Sequence, residues 1–229
     1  MARKFYSTTF PATEVPVSQG GLWLNGKADG IDWQNCDTLA GSPNKIYGDA
    51  LVGVSGADDC ISIMKGDWGK SQYVECTAFI DPAYVPIANH EIELLLQFRI
   101  SANFAKGYEW NFSLQSGLHQ LAKWEGDGTL GNLITVLTAN GPHNALVPVT
   151  GDKIRFTQLI DGSFVLTQNG SLIDTWAEDS GTAIYETFAP GVGFFVRPGA
   201  GQDPQKACWS SFVAGSLSAP GLPLIGMGG

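Results

Sequence analysis

The sequence predicts an all-β protein folded as a two-sheet antiparallel sandwich. Glycine is abundant, at 29 of 229 residues, aromatic residues make up 11%, and charged residues only 15%. Such a composition is typical of strands joined by tight turns. Several segments alternate apolar and polar residues, and none shows convincing amphipathic helical spacing. Because β-sandwiches of this length form single domains, we expect one domain over residues 1–217.

The firmest predicted strand covers residues 91–100. Alternation divides its side chains between two faces. The face predicted to be buried carries Ile92, Leu94, Leu96, Phe98 and Ile100, and the other carries Glu91, Glu93, Leu95, Gln97 and Arg99. Segments 73–80 and 108–115 alternate in the same way and turn Cys76 and Tyr108 inward. Further strands are expected near residues 4–10, 21–25, 49–54, 119–124, 132–138, 191–197 and 207–217.

A three-stranded antiparallel meander is predicted between Asp152 and Trp176. Two dipeptides, Asp161-Gly162 and Asn169-Gly170, divide this segment. Both dipeptides accept the positive φ angles of two-residue type I′ turns. The sequence therefore predicts two tight hairpins in succession.

Charge and cysteine usage exclude several classes of partner and ligand. With 13 basic and 22 acidic residues, the net charge is −9, which disfavours nucleic acid. No apolar run reaches the roughly 18 residues of a membrane span. Four cysteines without CxxC spacing and three scattered histidines predict no metal site and no cofactor, and free thiols are favoured over a Cys36–Cys60 bridge.

Both ends of the chain carry information about its location and partners. The start, Met1 to Phe5, leads directly into polar residues without a secretory signal, so we expect a protein kept in a cytoplasm, released by lysis or carried in a virion. Residues 218–229 form an uncharged tail rich in Gly and Pro, with Leu222, Leu224 and Ile225 as apolar anchors. Such a tail is either a frayed terminus or an arm that docks onto a neighbouring subunit.

The order of these segments resembles the concanavalin A-like lectin and glucanase superfamily, in its laminin-G-like branch. The resemblance covers nearly all of residues 4–217 and rests on segments such as Trp68 to Glu75, Gly107 to Trp110 and Gly191 to Phe195. It implies a jelly roll of two curved antiparallel sheets whose concave face, in many relatives, holds sugar. Members include lectins, glycoside hydrolases, polysaccharide lyases and bacteriophage structural proteins, so the fold alone does not decide the function.

Catalysis is not expected from the residues that the resemblance points to. Family 16 glycoside hydrolases of this fold carry three acids on one strand, as Glu-x-Asp-x-Glu or a bulged form. Here Glu91 and Glu93 match the first two positions, but Leu95 or Leu96 occupies the third and cannot transfer a proton. Lyase chemistry needs a clustered Tyr or His base with an Arg or Gln, which the sequence does not present.

Two functions remain after this comparison. The first is a non-catalytic virion protein, a capsid decoration or tail-associated subunit, that assembles with neighbouring subunits as a homo-oligomer and carries a glycan site on its exposed face. The alternative is a lectin-like carbohydrate-binding module, and a polysaccharide-degrading enzyme is a more distant third. Sugars stack on aromatic rings and bond to polar side chains. The predicted glycan contacts are Trp124, which precedes a loop, together with Trp68, Glu91, Glu93 and Arg99.

Overall fold

A computed structural model describes residues 4–29, 33–49, 58–86, 90–101, 104–126, 134–136, 146–177, 188–196 and 203–217. These residues form fifteen strands and short 3-10 turns, and no α-helix lies among them. No helix among the described residues is long and apolar enough to cross a membrane. The strands are β1 Phe5–Thr8, β2 Trp23–Asn25, β3 Cys36–Leu39, β4 Lys45–Gly48, β5 Asp58–Met64, β6 Gln72–Ile80, β7 Glu91–Ser101, β8 Phe104–Ser113, β9 His119–Gly126, β10 Ile134–Val136, β11 Lys153–Gln158, β12 Phe164–Gln168, β13 Ser171–Trp176, β14 Ala189–Val196 and β15 Ala207–Ser216.

The strands form two antiparallel sheets that pack face to face. Sheet I has the order β13-β12-β11-β6-β15-β4-β3, and β1 also pairs with β15. Sheet II has the order β10-β9-β8-β7-β14-β5-β2. The predicted all-β sandwich is confirmed.

The core lies between the sheets, where alternation turns one side of each strand inward. Val74, Cys76 and Ala78 of β6 meet the inner face of sheet II, on which Tyr108 and Trp110 of β8 lie. Burying this much aromatic and aliphatic surface is the main favourable contribution to folding. The sheets are also joined by a hydrogen bond of 3.2 Å from the Trp209 indole nitrogen to the backbone oxygen of Glu93.

Most of the predicted strands are present, and three strands were not predicted. The short β3 and β4 precede the strand expected near 49–54, and the longer β5 follows it, in segments that the sequence left unassigned. The strand expected near 49–54 falls mostly on residues outside the described ranges.

The meander exists, but only one of its two turns has the predicted geometry. At Asn169 and Gly170 the φ angles are 52° and 81°, as a two-residue hairpin turn requires. At the other turn only Gly162, with φ of 87°, takes a positive angle, and residues 159–163 form a longer loop. Its Leu159 amide donates to the Ser163 oxygen at 2.8 Å, so the tight turn predicted at Asp161-Gly162 is wrong.

Strand β7 changes its alternation at a bulge. Gln97 takes a φ of 51°, and the register with β8 shifts between Leu96 and Arg99. The backbone amide of Gln97 donates to Oε1 of Gln72 in sheet I, which holds this conformation. Phe98 therefore lies on the opposite side from Leu96, and the prediction of one continuous alternating strand is wrong from this point.

All four cysteines are buried free thiols distributed over both sheets. Cys36 lies on the edge strand β3, Cys60 on β5, Cys76 on the central strand β6, and Cys208 on β15. Burial raises the pKa of Cys76 well above its ordinary value. Cys76 faces inward, as predicted.

Candidate functional site

Most of the carboxyl and amide side chains considered below lie on the outer face of sheet II, which points away from sheet I. Strand register fixes which side chains are neighbours on this face. One row across the strands runs Gln120, Asn111, Glu93, Gly193, Ile61. The next row contains Ser113, Glu91, Phe195 and Asp59.

A polar pocket of about 350 Å³ opens at the end of these rows. We call it the polar pocket; its lining is Glu91, Asn111, Ser113, Gln115, Ser116, Leu118 and Gln120. Most of these residues come from β8, β9 and the turn between them, so one hairpin supplies most of the pocket. Three amides, two hydroxyls and a carboxylate make its wall rich in hydrogen-bonding groups.

Glu93 lies beneath the same face and is almost completely buried, with an exposed fraction of 5%. Its carboxyl group fits over Gly193 of β14, because a Cβ atom there would come within 2.1 Å of Oε2. Burial, followed by the charges of Glu109, Asp59 and Glu91, raises the pKa of Glu93 well above its ordinary value. Glu93 therefore retains its proton at a pH where an exposed glutamate has lost it.

Glu109 is the acidic residue that the sequence analysis missed. It lies on β8 directly opposite Leu95, the position where the sequence lacks a third carboxyl group. The Trp124 indole donates to Oε2 at 2.6 Å, and the Asn111 amide donates to Oε1 at 3.1 Å. Burial and then the charges of Asp59 and Glu91 raise the pKa of Glu109 to about 8. Alternation on β8 already turned Glu109 outward, but only the register with β7 places it beside Glu93.

The other half of the outer face is apolar. Trp33 and Trp124 meet edge to face, with ring centroids 4.5 Å apart, and Trp33 also packs against Phe98. Gly107 permits the close approach of Phe98, since a Cβ atom there would lie 2.4 Å from its ring. This apolar cluster consists of Trp33, Ile61, Ile63, Leu95, Phe98, Ile100, Ala105 and Trp124.

The two tryptophans predicted to hold sugar are both buried. Trp124, predicted from its place before a loop, has an exposed fraction of 4% because its ring packs against Trp33. Trp68 is equally buried, within the core between the sheets, and its indole donates to the Lys65 oxygen at 3.2 Å. Neither ring offers an open stacking surface in this conformation, and a sugar contact by either stays a prediction.

Arg99 does not share a face with Glu91 and Glu93, contrary to the sequence analysis. The bulge at Gln97 reverses the alternation, so Arg99 pairs with Lys106 on the opposite side of the sheet. Its guanidinium lies 5.5 Å from the centre of the Phe188 ring. A glycan contact by Arg99 together with the two glutamates is therefore not supported by their placement.

The two histidines that the structure describes, His90 and His119, do not lie on this face as bases. His90 Nδ1 lies 2.8 Å from the Tyr84 hydroxyl, and burial lowers the pKa of His90 to about 4. His119 Nδ1 accepts from the Trp110 indole at 2.9 Å in the core. Within the described ranges there is no group of three or more acidic, histidine or cysteine side chains arranged to hold a metal ion. The apolar anchors Leu222, Leu224 and Ile225 lie outside the described residues.

Comparison with solved structures identifies the fold. No protein-family model and no curated protein matches the chain. A carbohydrate-binding module of family 66 from Bacillus subtilis matches at a TM-score of 0.50 and 13% identity, covering 88% of this chain and 96% of its own. The fold predicted from the sequence is confirmed.

Two further solved structures extend the likeness to a protein of unknown function and an enzyme. A Bacillus subtilis protein of unknown function with a galectin-like fold matches at 0.53 and 10% identity, covering 93% and 96% of the two chains. The β-porphyranase BpGH16B from Bacteroides plebeius matches at 0.54 and 9%, covering 94% and 93%. At these identities the likeness establishes the two-sheet jelly-roll fold alone, and the function has to be argued from the residues.

Proposed function

We propose that this protein binds carbohydrate, without catalysis, in the polar pocket on the outer face of sheet II. The observation that carries the proposal is the pocket wall, in which the amides of Asn111 and Gln120 stand side by side on neighbouring strands. Planar amides and hydroxyls bond well to adjacent sugar hydroxyls because each presents a donor and an acceptor at fixed spacing. The exposed Leu118 supplies apolar surface for the underside of a sugar ring.

The relatives support a sugar as the ligand more than any other class. The structures matched above include a carbohydrate-binding module and a carbohydrate-degrading enzyme. The same fold in a carbohydrate recognition domain, that of Emp46p, also resembles this chain, at a TM-score of 0.50. The fold and the hydrogen-bonding groups of the pocket thus both favour a sugar as the ligand.

A glycan array, with and without calcium, tests the proposal, followed by titration of the best hit against variants. The double variant Asn111→Ala with Gln120→Ala is expected to bind about tenfold more weakly or worse, because several sugar hydrogen bonds are lost. Thr157→Ala, on the outer face of sheet I, is the matched control and keeps full affinity. A blank array, or a hit that the double variant binds unchanged, would overturn the proposal.

Glycoside hydrolysis is the second candidate because of Glu109. With Glu91 and Glu93 it supplies three carboxyl groups on one face, and an acid with a raised pKa is a suitable proton donor. Against this, Glu93 and Glu109 are each only 5% exposed and do not line the polar pocket. Release of reducing ends from an array hit, abolished in Glu109→Gln, would establish hydrolysis and exclude binding alone.

A structural role in a bacteriophage particle stays a prediction. It depends on docking by the tail anchors Leu222, Leu224 and Ile225 and on homo-oligomer formation. Mass measurement in solution, on the full chain and on a chain ending at residue 217, tests it. A monomer in both cases would contradict assembly through the tail.

A further inference from the structure

The carboxylate of Glu91 is the unusual group in the polar pocket. It is half-buried and lines the wall, yet within the described part of the chain no hydrogen bond or ion pair reaches it. Burial raises the pKa of Glu91, and no compensating partner lowers it again. A partly buried carboxylate without a partner has lost some of its hydration, so a cationic ligand that supplied a partner would gain affinity there.

The neighbours of Glu91 favour a cation over an anion. Asp59 of β5 lies in the same row, two strands from Glu91, and the charges of Asp59 and Glu91 both raise the pKa of the buried Glu93. The buried Glu93 and Glu109 lie in the next rows of the same sheet face.

No cationic side chain of the described strands β5, β7, β8, β9 and β14 lies on this face. Strands β5, β7, β8, β9 and β14 carry three cationic residues, Arg99, Lys106 and Lys123. Register and alternation place all three on the other side of the sheet: Arg99 pairs with Lys106, and Lys123 pairs with the core residue Tyr108. A sulfated or uronate-rich glycan would therefore meet acidic groups without a balancing cation from these strands.

We propose that the polar pocket selects glycans that carry a free amine, such as glucosamine oligomers, and holds the ammonium group against the Glu91 carboxylate in its wall. This inference rests on the proposed function, since it names the class of sugar for the same pocket. The ammonium donates to the Glu91 carboxylate, while Asn111 and Gln120 bond to neighbouring hydroxyls. An acetylated amine has no charge and cannot replace this contact.

Calorimetric titration with four matched short oligomers tests the selection: glucosamine, N-acetylglucosamine, glucose and galacturonate. At neutral pH and low salt, the glucosamine oligomer is expected to bind about tenfold more tightly than the acetylated and glucose oligomers, and galacturonate most weakly. Added salt should reduce this preference, because it screens an ionic contact and leaves hydroxyl contacts largely unaffected.

Two isosteric variants locate the charge responsible. In Glu91→Gln the affinity ratio of glucosamine to glucose oligomers is expected to fall to about one. Glu75→Gln makes the same change on the outer face of sheet I, where Glu75 lies 3.9 Å from Arg155, and it should keep the ratio of the unchanged protein. Thermal unfolding of both variants checks that each remains folded.

The outcomes separate the inference from the proposed function. If all oligomers bind equally, or galacturonate binds best, the selection for amines is wrong and sugar binding stands. If no oligomer binds here and the glycan array is also blank, the proposed function itself fails. A preference for glucosamine that survives Glu91→Gln also overturns the assignment to this residue.

Discussion

The polar pocket and the apolar cluster lie on the same face of sheet II, yet one is open and the other is closed. Residues of β7, β8 and β9 contribute to both. The apolar cluster is sealed by Trp33 against Trp124 and by Phe98 over Gly107, whereas the pocket wall consists of hydrophilic side chains around an opening. We infer that the aromatic half of this face serves stability and the polar half serves recognition, the reverse of the sequence-based expectation that tryptophans hold the ligand.

The largest effect on stability is expected from Trp124→Ala in the apolar cluster. Removing a buried indole leaves a cavity and should lower the free energy of unfolding by about 3–5 kcal/mol. Urea denaturation followed by circular dichroism measures this. Trp124→Phe keeps most of the ring volume but removes the donor to Glu109, so its loss should be clearly smaller. Equal losses in the two variants would mean that the hydrogen bond, and not packing, dominates.

A smaller effect is expected from adding one methyl group at a glycine. In Gly107→Ala the new carbon would lie 2.4 Å from the Phe98 ring and 2.7 Å from its Cα, so the cluster must shift at a cost of about 1–3 kcal/mol. Gly193→Ala meets the Glu93 carboxyl group, the movable end of a side chain, and should cost less. Chemical denaturation of the two variants compares how tightly the apolar and acidic halves of the face are packed. A larger cost at Gly193 would show that the acidic half is the more tightly packed.

The buried acids should make stability fall as pH rises. Burial first, and neighbouring charges second, raise the pKa of Glu109 to about 8 and that of Glu93 well above its ordinary value. An unfolded glutamate titrates near its ordinary pKa of roughly 4.3, so the folded state holds more protons over this interval. The stabilising contribution is therefore complete below the unfolded pKa and is lost as pH rises through the folded pKa.

These two glutamates are expected to contribute most to the pH dependence of stability from about pH 6.5 to 8. His90, with its pKa lowered to about 4, changes stability only below its ordinary value of 6.5 and in the opposite direction. Asp37, with a pKa raised to about 6, has mostly ionised before this range begins. Thermal midpoints should decline across the range, and Glu109→Gln should flatten the decline. An equally steep decline in that variant would assign the effect elsewhere.

The smallest effect on stability is expected from Asn111→Ala in the polar pocket. Asn111 is only half-buried, and its side chain makes one hydrogen bond of 3.1 Å to Glu109, so the loss should stay within about 1 kcal/mol. Denaturation and glycan titration on the same sample separate the two roles. A large loss of stability would place Asn111 among the structural residues and weaken the division of the face.

Local pattern predicted the parts of this fold that depend on neighbouring residues alone. The alternation of β6 and β8 and the turn at Asn169-Gly170 follow from side-chain period and backbone preference. The bulge at Gln97 did not follow, because the hydrogen bond that its amide donates to Gln72 of the other sheet holds its positive φ. Glu109 was missed for a similar reason: only cross-strand register, a tertiary property, brings it opposite Leu95.

The four buried thiols can serve as native probes of local unfolding. An alkylating reagent reaches a cysteine only when the strand that covers it moves away, so labelling rates measure the frequency of opening. Cys36 on the edge strand β3 would report fraying of one margin, and Cys76 on the central strand β6 would report exposure of the whole interior. Mass spectrometry of the labelled chain thus yields a map of local opening without any engineered probe.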